Sequence, residues 1–184
     1  MNVRLATFCV LGMALSLAGC GPANDATERP ESARAFPEPD RPVSEVGSNQ
    51  FSTEDKRDSQ GEAQKVMDLA AIEPGMTVAD IGAGEGYYTV RLAERVGEHG
   101  RVLAQDIDRG ALERLGRRVE RERLDNVSIK FGAADDPRLP QDSFDRVLLV
   151  HMYHEVEEPY AFLWRLWPAL TQDGKGVVVD MDRP

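Results

Sequence analysis

Three glycines at alternate positions, Gly82, Gly84 and Gly86, break the apolar run of residues 78–93, V-A-D-I-G-A-G-E-G-Y-Y-T-V-R-L-A. Asp80 stands two residues before the first of them. A glycine turn takes backbone angles closed to other residues and lets a ligand approach the main chain. A helix that follows such a turn directs its free N–H groups at the same point. Asp80 bears on which ligand that is. A carboxylate in the loop repels a pyrophosphate and tolerates or attracts a cationic group. The spacing also differs from the G-x-G-x-x-G of dinucleotide sites.

Further candidates lie downstream. Asp106 falls twenty residues after Gly86, at the end of the apolar run Val102-Leu103-Ala104. An acid at the carboxyl end of a second strand can accept both hydroxyls of a ribose. Asp108 is its rival, but it sits where the next helix needs an N-cap. Asp106 is therefore assigned to the ribose and Asp108 to the cap. His151, His154 and Glu155 form H-x-x-H-E, which is neither H-E-x-x-H nor H-x-x-E-H, and the one other histidine is His99. No metal is expected there. His154 is a candidate to take a proton from a hydroxyl or amine nucleophile. The plain alternative is that His154 and Glu155 begin the next helix.

The elements that must position these residues read as alternating strands and helices. Strands are expected at Thr77–Ile81, Arg101–Asp106, Val127–Phe131, 143–150 and 177–180. Helices are expected at 62–72, Tyr87–Val96, 109–124 and 159–170, from apolar residues at helical spacing. Pro168 should kink or shorten the last helix, and Asp173-Gly174-Lys175-Gly176 should turn the chain into the fifth strand. Residues 143–150, S-F-D-R-V-L-L-V, are mostly apolar, as a central parallel strand covered on both faces should be. Strand, glycine turn and helix repeated in this way predict a doubly wound α/β sheet.

Residues 1–19 read as a targeting segment. Arg4 is a thin positive region, 5–18 is apolar but short for a membrane span, and the stretch ends Leu17-Ala18-Gly19-Cys20. That ending resembles a bacterial lipoprotein signal, which implies lipidation at Cys20, a membrane anchor and a place at the cell envelope. The domain would be cytoplasmic if the signal is unused. Residues 20–51, with Pro22, Pro30, Pro37, Pro39 and Pro42 among polar residues, read as a disordered tether in which Phe36 needs no role. Residues 52–184 form the domain. The formal net charge of −10 argues against nucleic acid as partner. The arginines between Arg114 and Arg123 alternate with glutamates and read as a solvated helix face.

D-I-G-A-G-E-G at 80–86, R-V-L-A-Q-D-I-D at 101–108 and S-F-D-R-V at 143–147 together resemble the class I S-adenosylmethionine (SAM) methyltransferases, over about residues 62–181. The resemblance implies a Rossmann-like sheet of five parallel strands in the order 3-2-1-4-5 with flanking helices. It implies that Asp80, Gly82, Ala83, Gly84 and Gly86 hold the methionine end of SAM, Asp106 the ribose, and Ile107 with Asp135 the adenine, with His151 at the rim of the cofactor site. The family usually places the adenine acid directly after a glycine. Here Ala133 follows Gly132, and Asp135 stands in. The N/D-P-P-Y motif of some amino methyltransferases is absent. The expected function is methyl transfer from SAM to a small-molecule acceptor. The alternative is a non-catalytic SAM-fold lipoprotein that binds a ligand or partner at the envelope. The family's terminal antiparallel hairpin has no counterpart here, so the domain is expected to be truncated at its C-terminus, with the fifth strand left as an unprotected edge.

Overall fold

The computed structural model describes residues 29–45 and 53–180. The expected signal segment 1–19 and the lipidation site Cys20 lie outside the described residues. Thr53 caps the short helix α1 (Glu54–Ser59), its hydroxyl accepting the Lys56 N–H at 3.4 Å. Helix α2 (Glu62–Leu69) follows. Strand and helix then alternate through β1 (Thr77–Ile81), α3 (Tyr87–Val96), β2 (Arg101–Asp106), α4 (Arg109–Glu122), β3 (Val127–Phe131), β4 (Phe144–Val150), α5 (Pro159–Leu166) and β5 (Leu170–Val179). All strand pairings are parallel and the order is β3-β2-β1-β4-β5, as the family resemblance implies.

The period of two along the strands decides which helix covers which face. Val78, Val102 and Leu148 pack with α2 and α3. Ala79, Ile81, Val147 and Leu149 point the other way, onto Phe162 and Leu166 of α5. Ala104 meets Leu112 and Leu115 of α4. β1 and β4 are adjacent in the sheet although β2 and β3 lie between them in sequence, so successive crossovers leave β1 and β4 in opposite directions. A crevice opens between them at the carboxyl ends of the strands, where ligands of open α/β sheets bind. Arg146, an arginine in an otherwise apolar strand, donates from Nε to the Ala70 carbonyl at the end of α2, at 2.7 Å.

The boundaries that differ most from expectation are those of α5 and β5. α5 ends at Leu166 and continues as a 3-10 turn, Trp167–Ala169, because Pro168 has no N–H to give to a longer helix. β5 begins at Leu170, and the expected turn Asp173–Gly176 lies inside it, across an irregularity opposite Phe144 and Arg146. A Cβ on Gly174 would stand 2.5 Å from the Phe144 carbonyl oxygen, so only glycine lets the two strands pass this closely. Among the described residues β5 pairs on one side only.

Residues 29–45 depart further from the sequence reading. They form a strap laid against α5 and the loop after β4. Arg29 pairs with Glu158. Arg41 donates to the carbonyls of Tyr153 (2.9 Å) and Val156 and lies 4.7 Å from the Tyr153 ring centre. Ser44 N–H donates to the His154 carbonyl at 3.1 Å. Ala33 is fully buried and the Phe36 ring sits 6.3 Å from that of Trp164. A composition poor in apolar residues argues for disorder only when polar groups lack partners. Here two arginines find a buried carboxylate and loop carbonyls far along the chain.

Candidate active site

The glycine loop occupies the crevice between β1 and β4. Gly84 has φ +55°, a conformation L side chains rarely adopt, and a Cβ there would meet no protein atom within 4 Å. Packing therefore does not require glycine at this position. The backbone angle does, together with the open space that it borders. A Cβ on Gly82 would come within 2.9 Å of Met152, which brings the loop after β4 close over the main chain. Gly86 is the left-handed N-cap of α3. Ala83 N–H donates to the Gln105 carbonyl at 3.0 Å, tying the loop to β2.

Of the two acids at the end of β2, Asp108 takes the cap that the sequence suggests. Asp108 Oδ1 accepts the N–H groups of Gly110 (2.7 Å) and Ala111 (3.2 Å) and caps α4. Asp106 Oδ2 accepts Gly84 N–H at 2.8 Å, and its Oδ1 accepts Asp108 N–H at 2.9 Å. The carboxylate expected at a ribose is thus seen to brace the glycine loop. Asp80 is buried beneath that loop and takes the Thr89 hydroxyl at 2.6 Å, fixing the first turn of α3. Burial pushes its carboxyl up to about 7, against the Thr89 hydrogen bond and with help from the negative charge of Asp106. Asp80 supports the loop from below and is not part of the cavity lining.

A cavity of about 460 Å³ lies above the loop. Gly82, Gly84, Asp106 and Ile107 line one part of it, and Ala133, Ala134, Met152, Val156 and Phe162 give it further apolar surface. Among the described residues its charged lining consists of four carboxylates, Asp106, Asp108, Glu155 and Glu157, with no lysine or arginine. Gln105 also lines it, from a position almost fully buried in β2. Gly132 makes room for this side chain, since a Cβ there would fall 1.8 Å from Gln105 Nε2. A wider cleft of about 720 Å³, bordered by Ala93, Gly97 and Asn126, lies at the opposite ends of the strands, away from the glycine loop.

His151 lines the cavity, in a left-handed conformation (φ +56°), with Nε2 3.3 Å from Glu62 Oε1. Glu62 also accepts from Arg57 (2.7 Å) and from the Tyr88 hydroxyl (2.9 Å), so α2 closes over this end of the site. Burial raises the Glu62 carboxyl, but the Arg57 and Tyr88 hydrogen bonds outweigh it and hold the group below the usual carboxylate range. His154 is buried outside the cavity lining. Its Nδ1 lies 2.7 Å from Asp180 Oδ1, and its backbone N–H donates to Asp180 Oδ2 at 2.9 Å, tying the loop after β4 to the end of β5. The two histidines therefore serve different partners. Asp135 is also outside the lining. Its carboxylate accepts from Arg165 at 2.7 Å and from the Ser32 hydroxyl. Ala133 and Ala134 occupy the part of that loop that borders the cavity. Sequence reasoning missed Gln105, Met152, Glu155, Val156 and Phe162 as lining residues. Gln105 alone carried a local signal, a polar residue in an apolar strand one place before the acid.

A family model described as a methyltransferase domain matches residues 78–174. Nocamycin O-methyltransferase of Saccharothrix syringae is 34% identical over 85 residues, 46% of this chain and 30% of that protein. The ubiquinone/menaquinone biosynthesis C-methyltransferase of Shewanella frigidimarina is 29% identical over 120 residues, 64% of this chain and 47% of that protein. The chain thus spans about half the length, or less, of these curated relatives. The crystal structure of a SAM dependent methyltransferase from Aquifex aeolicus superposes with a TM-score of 0.62 at 25% identity, over 72% of this chain and 77% of that one. With its family match, its sheet order and a glycine loop beside a strand-end acid, the chain belongs to the methyltransferase-domain family and has the class I SAM-dependent methyltransferase fold.

Proposed function

We propose that the chain transfers a methyl group from SAM to a small-molecule acceptor. The observation that carries this reading is the cavity over Gly84, with Asp106 at its edge and, among the described residues, four carboxylates and no lysine or arginine in its wall. The residues fit the cofactor. SAM carries an ammonium and a sulfonium, which carboxylates favour and arginines would oppose. A pyrophosphate would have the reverse preference. Asp106 can turn its charge to a ribose diol, Ile107 with the alanines after β3 offers flat apolar surface to a base, and the glycine loop admits the methionine end to the main chain. The volume lies within the range of small-ligand sites.

SAM supplies an electrophilic methyl group on a positively charged sulfur, and its transfer is an in-line displacement. The work left to this chain is to orient the donor and exclude water. The loop after β4 forms one wall of the cavity, and the strap and the His154–Asp180 pair hold that loop in place. The names of the two curated relatives, an O-methyltransferase and a C-methyltransferase, support an organic small molecule as acceptor. We further propose attachment to a membrane through Cys20, on the strength of L-A-G-C before a Pro-rich stretch.

Calorimetric titration of the purified chain with SAM, its demethylated product and NAD tests the first proposal. Binding of the first two at one site, with no heat from NAD, is expected. Transfer of labelled methyl from SAM to phenolic or hydroquinone acceptors then tests catalysis. Binding of NAD in preference to SAM would overturn the reading.

A further inference from the structure

α5 shows two unlike sides. Ala161, Phe162 and Leu166 are buried against the sheet. Tyr160, Leu163, Trp164 and Trp167 follow the i, i+3, i+4, i+7 spacing of one helical stripe, and they are 50%, 37%, 70% and 72% exposed. Phe36 of the strap sits beside Trp164 and extends the patch. Scattered apolar side chains on a surface need no explanation, but a contiguous aromatic stripe marks an interaction surface. We propose that this face of α5 contacts a lipid bilayer and seats the domain at the headgroup level.

The path of the chain selects a membrane over other occupants. Arg29, at the start of the described strap, is paired to Glu158, the residue immediately before α5. Residues 21–28 alone separate that fixed point from Cys20, the proposed lipid anchor, on which this step rests. That length of chain reaches at most about 30 Å. A bilayer that holds the lipid on Cys20 therefore lies within roughly one domain width of the aromatic stripe. The residue types suit the place. Tryptophan and tyrosine have an apolar body and a polar edge and concentrate at membrane interfaces. α5 has eight residues, far too short to cross, so it would lie in the plane of the surface. The net charge of −10 gives anionic lipid no attraction for the chain as a whole, so the contact is apolar in origin and should persist in salt. This inference is independent of the chemistry of the cavity.

Both tryptophans of the chain lie in the stripe, so intrinsic fluorescence reads this face alone. The full chain is mixed with phosphatidylcholine vesicles, with and without brominated acyl chains. A blue shift on adding vesicles, quenching by the brominated lipid, protection from iodide and persistence at high salt are expected. The double substitution of the exposed Tyr160→Ser and Leu163→Ser keeps both reporters and leaves the core untouched. It should raise the lipid concentration at half-maximal quenching by about tenfold or more, the effect of removing that much buried apolar surface. Three results would overturn the proposal. The chain could sediment with vesicles while its tryptophans stay open to iodide, which would confine the contact to the N-terminal segment. The emission could already be blue-shifted without lipid at all concentrations, which would mean that the chain's own apolar run covers the stripe. It could shift with protein concentration alone, which would make a second copy the occupant.

Discussion

Replacing Asp106 by asparagine tests the site most directly, because one carboxylate does two things. Its two oxygens accept Gly84 N–H at 2.8 Å and Asp108 N–H at 2.9 Å, so it braces the loop even before a ligand arrives. Asparagine keeps one acceptor oxygen, loses the charge and presents an NH₂ to the other N–H. Hydrogen bonds to charged groups contribute about 1.5–3 kcal/mol and neutral ones about 0.5–1.5 kcal/mol. The substitution should therefore cost roughly 1–3 kcal/mol of stability in a denaturant titration. Loss of a charged acceptor for the ribose diol should weaken SAM binding by about 1.5–3 kcal/mol, or roughly 10- to 150-fold in Kd by calorimetry. Asp108→Ala is the matched control. It removes the cap of α4 at about 1 kcal/mol of stability and, because Asp108 Oδ1 is held by the Gly110 and Ala111 N–H groups, should weaken SAM binding far less than Asp106→Asn. An Asp108→Ala variant that loses affinity while Asp106→Asn keeps it would refute the assignment of the two acids.

Asp80 gives a pH signature of unusual sign. Its folded-state pKa, about 7, lies above the unfolded value near 4, so the folded chain holds the extra proton. Stability then falls as pH rises from about 4 to about 7, with a slope of at most about 1.4 kcal/mol for each pH step of one. Asp80→Asn should remove that fall from the wild-type curve, and identical pH profiles of Tm would show that the buried carboxyl does not titrate there. Gly84→Ala should destabilise by roughly 1–2 kcal/mol through its positive φ and should weaken SAM binding, both checked by melting and titration. Arg41→Ala removes two hydrogen bonds to the loop after β4 and should cost about 1–3 kcal/mol, with faster amide exchange over residues 151–158 as the local readout. Cys20→Ala should abolish detergent-phase partitioning and signal cleavage, and unchanged partitioning would remove the lipid anchor.

The sheet was legible in the sequence because its signals are local. Apolar runs such as Val147–Val150 are short, lie at parallel-strand spacing and are punctuated by Gly82–Gly86, Gly97 and Asp108, so each segment announces its own type and ends. The motif spacing then places Asp106 and Ile107 at the carboxyl end of β2, and a cap can be told from a ligand acid by its position before α4. β5 was harder. Asp173–Gly176 has the composition of a turn, but the facing Phe144 carbonyl accommodates it as a strand irregularity, and no local rule contains that partner.

The chemistry of each side chain was fixed by its type, and the use made of it by partners distant in sequence. Asp135 was the acid nearest the expected adenine position, yet Arg165, thirty residues on, and Ser32 of the strap claim its carboxylate. His154 had the right chemistry for a base, but Asp180 binds its ring away from the cavity. The strap read as tether because Arg29 and Arg41 find Glu158 and the carbonyls of Tyr153 and Val156 only once α5 and the loop after β4 stand where the sheet puts them. By itself, then, the sequence determined the first four strands, the glycine loop and the Asp108 cap of α4, whose signals lie within a few residues of one another. Tertiary structure decided which polar groups face the cavity, because a buried charge or hydrogen-bonding group must be satisfied by whichever partner the fold brings within about 3 Å.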